Sequence, residues 1–143
     1  MNKVLIANLF LFVVSCCLPA LEFKNSNSPN DVMFGLRALA VGWSGLFAWI
    51  FTWFANPAWL LGVIFMSRRK PTPAVIFAVV AIALAGTTFS VIGRELPADE
   101  GGVTKMTVIK LLPGCYVWMA SLVTLPFAVF FKRPAEHPAI ASS

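Results

Sequence analysis

Four apolar stretches constrain this chain more than any other feature: Val4–Leu21, Phe34–Met66, Ala74–Gly93 and Leu111–Phe131. The polar segments between them are short: EFKNSNSPND, SRRKPTP and RELPADEGGVTKMTVIK. A helix needs about 20 residues to cross a hydrocarbon core about 30 Å thick. The first, third and fourth stretches match one crossing each. Only 12% of the 143 residues are charged, against about 25% in ordinary soluble domains. The pattern predicts an all-α integral membrane protein. Its form would be a compact antiparallel bundle of four transmembrane helices, with spans near 4–21, 34–66, 74–93 and 111–131. Residues 1–133 would form this single domain and 134–143 a flexible tail.

The second stretch is too long for one straight crossing and too short for two. It contains Asn56-Pro57, and a proline inside a helix removes a donor and clashes with the carbonyl four residues back. Cutting there leaves Ala58–Met66, which cannot cross. The expectation is one long helix, kinked or broken at Asn56-Pro57. A kink would have its freed carbonyl satisfied by a neighbouring side chain or water. A true break would use freed carbonyls and the Asn56 amide to hold an ion or substrate. No second broken helix lies in a matching place, which favours the kink.

Helices in lipid associate through small residues and interhelical hydrogen bonds. Such residues recur at helical spacing: Gly35, Ala38, Gly42, Gly45, Thr52 and Asn56, then Ala74, Ala78, Ala81, Ala85 and Thr88, then Gly114, Ser121, Thr124 and Ala128. Asn8, Ser15 and Glu22 recur every seven residues in the first stretch. Gly35, Gly42, Gly45, Thr52, Asn56, Pro57, Thr88, Ser121 and Thr124 are the candidate packing or partner seam. Trp49, Trp53 and Trp118 read as packing aromatics, with an apolar ligand pocket as the rival.

The connections read as a polar loop with Asp31 capping the next helix, a basic turn, and an acidic loop ending in an interfacial turn over KMTVIK. Lys3, Arg68, Arg69, Lys70, Lys132 and Arg133 would share one side of the membrane. The positive-inside rule then places both termini in the cytoplasm. The expected location is the bacterial inner membrane, with multiple crossings. VVSC, ending at Cys16, resembles a bacterial lipobox, which would make residues 1–15 a cleaved signal. The apolar run continues past Cys16, so a retained helix is the preferred reading. The basic residues form no stripe, which argues against nucleic acid.

No Asp, Glu or His lies in the middle of a predicted span, and such residues mark intramembrane proton paths. No nucleophile–base pair, metal cluster or C-x-x-C is present. His137 lies in the tail. Cys16, Cys17 and Cys115 fall at similar depths, so a disulfide between the first and last helices is conceivable, though free thiols packing as small hydrophobes fit better. No cofactor or metal is expected, and no catalysis. The function expected is non-catalytic: binding of another membrane component within the lipid bilayer, as an assembly subunit or an immunity-type protein. The partner would be a membrane protein or a second copy of the chain. The alternative is a small oligomeric channel or carrier using the broken second helix.

Overall fold

The computed structural model describes residues 3–25, 28–97 and 105–130. Helix α1 (Lys3–Cys17) stops short of Leu21, because Pro19 opens strand β1 (Pro19–Asn25). Proline is tolerated as the first residue of a strand. β1 pairs antiparallel with β2 (Ser28–Phe34), so the expected polar loop is a hairpin and Asp31 lies within a strand rather than capping a helix. The expected interfacial turn is also a strand, β4 (Lys105–Leu111), which pairs with β1 and with β3 (Glu95–Pro97). The four strands form one antiparallel sheet in the order β2-β1-β4-β3.

Period-two alternation explains the sheet. Leu21, Phe23, Met33, Met106 and Val108 share the covered face, with Phe23 and Val108 both buried. On the other face, register places Glu22 opposite Lys110, and their side chains meet at 3.0 Å. A shift between Glu22 and Phe23 leaves Ile109 as the extra residue of a bulge. This keeps Phe23 opposite Val108 on the covered face.

The second apolar stretch is not one long helix. It divides into α2 (Gly35–Val41), a 3-10 run Gly42–Ala48, a 3-10 turn Thr52–Phe54, and α3 (Ala55–Ser67). Pro57 therefore stands in the first turn of α3, where its missing N–H costs nothing. Asn56-Pro57 marks a helix start rather than a kink. The 3-10 run is followed by Trp49, and α3 by Arg69 two residues past Ser67, both in the left-handed region with φ of 56° and 59°. Each end is closed the same way. Ile50 and Trp49 donate backbone N–H groups to Gly45 and Leu46, as Lys70 and Arg69 do to Phe65 and Met66. Glycine is the usual residue at such a left-handed stop.

Helix α4 (Pro71–Gly86) begins with two prolines in its first turn and continues as a 3-10 helix over Thr87–Val91. Its alanine row, Ala74, Ala78, Ala81 and Ala85, is buried and lets α3 and α5 (Pro113–Phe130) approach closely. Leu5, Trp59, Val63, Leu122 and Leu125 complete this core. α1 packs on α5.

The four-span, all-helical bundle is thus overturned. Among the described residues, only Pro71–Val91, at 21 residues, is long and apolar enough to cross a membrane. α1 and the apolar part of α5, Pro113–Ala128, are shorter. Multi-pass placement in the bacterial inner membrane, and cytoplasmic termini derived from four crossings, fall with it. Hydropathy counted the ends of strands and a 3-10 segment as parts of spans. The tail 134–143, His137, Lys132 and Arg133 lie outside the described residues.

Candidate functional site

A cavity of about 420 Å³ lies between the covered face of the sheet, the Gly35–Phe54 segment, and the facing ends of α1, α3 and α5. Its size is in the range of small-molecule sites, about 300–1,000 Å³. Phe23, Val91, Val108 and Cys115 form a buried wall. Four lining residues are exposed, namely Arg37, Val41, Ser44 and Phe47, all from α2 and the 3-10 run that follows it. These define the mouth.

Six residues of the expected seam meet here: Gly35, Gly42, Gly45, Thr52, Asn56 and Thr88. The spacing that suggested helix contact therefore lines a cavity instead. Gly42 lies so close to the Trp53 indole that an added Cβ would fall 2.6 Å from Cδ1. Trp53 and Trp118 also line the space, whereas Trp49 points outward with 79% of its surface exposed. Pro57, Ser121 and Thr124 do not line the cavity.

The polar groups of the wall are largely occupied. Asn56 donates to the Trp53 carbonyl at 3.0 Å and accepts from the Trp118 indole at 2.9 Å. Trp53 donates its own indole N–H to the Leu39 carbonyl at 2.7 Å. Thr87 donates to Leu84 O at 2.6 Å, so in the Thr52–Thr87 pair the Thr52 hydroxyl is the donor. Ser15 bonds to Phe12 O and Ser44 to Val41 O. Among the described residues, the Thr88 hydroxyl is the one buried side-chain polar atom with no hydrogen-bond partner. What remains is an apolar chamber with one charged lining residue among those described, Arg37.

Ser121 and Thr124 belong to a second polar cluster, in which two seam positions of the sequence reading meet Asn8. Asn8 is fully buried between α1, α3 and α5. Its amide donates to the Ser121 carbonyl and to Thr124 Oγ1, and its Oδ1 accepts from the Trp59 indole. Phe12 stacks on the Trp59 ring with centroids 4.1 Å apart. The signal was present, since a lone Asn in an apolar run must find partners when buried.

The three cysteines are free; Cys16 and Cys115 line the cavity and Cys17 is exposed. No group of three or more His, Cys, Asp or Glu side chains is placed to hold a metal among the described residues. On the outer face of the sheet, hydrogen bonds from Lys110 and then Asn30 hold the Glu22 carboxyl below its ordinary range. Arg37 lies 3.8 Å from Asp31.

No family model, curated protein or solved structure matches this chain.

Proposed function

We propose that the protein is a non-catalytic binding protein whose outer apolar surface docks another membrane component. The observation that carries this reading is the row of large apolar side chains on the outside of every longer helix. Ile6, Phe10 and Val13 of α1 are exposed, as are Leu60 and Ile64 of α3, Ile76 and Val79 of α4, and Val123 and Phe127 of α5. Several large apolar side chains exposed on each of these helices support contact with another protein or with lipid. The reading requires a partner with an apolar surface, not four crossings. The polar groups of the cavity and of the Asn8 cluster bond mainly to one another and to backbone, which supports binding over chemistry.

The channel alternative would use Thr52, Asn56 and Thr87. Both ends of the Asn56 amide are engaged by tryptophan groups, and the two hydroxyls bond to each other. No observation favours that reading. A photo-crosslinking residue at Phe10, Val79 or Phe127, in cells, tests the proposal. Discrete protein adducts or lipid adducts at these positions, and none at exposed Lys70, are expected. Absence of adducts at all three would overturn it.

A further inference from the structure

We infer that the cavity is a binding site for a single-chain anionic amphiphile, such as a long-chain carboxylate. The inference goes beyond the docking surface and stands on different residues. The deep wall is apolar, with Phe23 and Val108 from the sheet. Among the described residues that line the space, Arg37 at the mouth is the one charged group, the exposed Ser44 shares that mouth, and there is no carboxylate. Apolar depth with one cation at the entrance is complementary to an alkyl chain ending in an anionic head. At about 420 Å³ the space falls in the small-ligand range, which suits one alkyl chain. Arg37 is available for this role because its contact with Asp31 is long, at 3.8 Å, and both side chains are more than half exposed. A guanidinium presents a planar fork suited to a carboxylate, and an anionic head brings a stronger partner than the distant Asp31.

The test is a titration of the full chain, in an uncharged detergent at fixed concentration, with palmitate and with hexadecanol. Trp53 and Trp118 line the cavity and report occupancy through their fluorescence. Palmitate should saturate at one per chain, and hexadecanol should bind about tenfold more weakly. Arg37→Gln should weaken palmitate by a similar factor and leave hexadecanol unchanged. Asp31→Asn, which keeps Arg37 and removes its competitor, should tighten palmitate. A response that does not saturate, or equal affinity for the acid and the alcohol, would overturn the assignment. So would an Arg37→Gln protein that binds palmitate as the wild type does.

Discussion

The indole nitrogen of Trp59 donates to Asn8 Oδ1 at 3.1 Å, joining α3 to α1 inside the core. The same asparagine donates to Ser121 and Thr124 of α5, so one buried amide ties three helices. A second tryptophan–asparagine bond, Trp118 to Asn56 at 2.9 Å, ties α5 to the start of α3. Polar groups at these places add direction to contacts that alanine and leucine packing leaves unspecified.

Removing the amide leaves the Trp59 N–H and the Ser121 carbonyl buried without this partner. Unsatisfied buried groups cost about 1–3 kcal/mol each, so Asn8→Ala should destabilise by about 2–4 kcal/mol. Trp59→Phe alone should cost less, and the double mutant should fall short of the sum by about 1 kcal/mol. Denaturant unfolding of the four proteins checks this; strict additivity would contradict the bond.

Gly114 carries a steric requirement with no flexible escape. A Cβ there would lie 2.7 Å from the Pro19 carbonyl oxygen and 2.8 Å from that of Leu18. Both are backbone atoms at the α1–β1 junction, so neither can rotate aside. Gly114→Ala should cost about 1–3 kcal/mol, read as a lower melting temperature. Gly86→Ala, with nothing near its added Cβ, is the control expected to be neutral or stabilising.

Trp49 holds a left-handed conformation, with φ 56° and ψ 35°, while the residue is 79% exposed. That backbone costs an L-residue about 1–2 kcal/mol, and glycine avoids the cost. Trp49→Gly should therefore raise stability by about 1 kcal/mol. If the exposed aromatics of this segment are part of the docking surface, the same change should weaken partner capture. A variant that is both less stable and unchanged in binding would contradict both statements.

These contrasts show how much the sequence disclosed. The alanine row of α4 was legible because helical spacing and small side chains leave one reading, and those residues are buried. The sheet was not. Its inward Phe23 lies between Glu22 and Lys24, and the bulge at Ile109 puts Lys110 on the face opposite Val108; those charges made the segments read as loops. The β1–β4 pairing at the centre of the sheet joins segments far apart in the chain, so no local pattern announces it. Pro57 was misread because a proline fits both a kinked helix and a helix start; what precedes it decides, and that segment is 3-10 with no buried residue. For the candidate site, six positions that helical spacing marked as a packing or partner seam line the cavity, but the cavity itself required the sheet, which no helical pattern could supply.

The Glu22–Lys110 pair gives a pH dependence with a definite sign. The carboxyl of Glu22 titrates lower in the folded chain than an ordinary glutamate because Lys110 and Asn30 hydrogen-bond its charged form. Its contribution is therefore present above the unfolded glutamate pKa of about 4.3. It is lost as pH falls through the depressed folded value. Melting temperature should fall from about pH 6 to about pH 3, and fall less steeply in Glu22→Gln. Parallel pH profiles for the two proteins would show that the pair does not contribute.

The central claim, that the apolar exterior binds another membrane component without catalysis, is tested most directly by purification. The full chain would be affinity-purified in a mild detergent, and the mass of the intact complex and of each co-purified protein measured. A distinct protein in fixed ratio to this chain, lost on charge substitutions at Phe10 and Phe127, is the predicted result. A homo-oligomer with no other protein, which conducts ions when placed in vesicles, would contradict it.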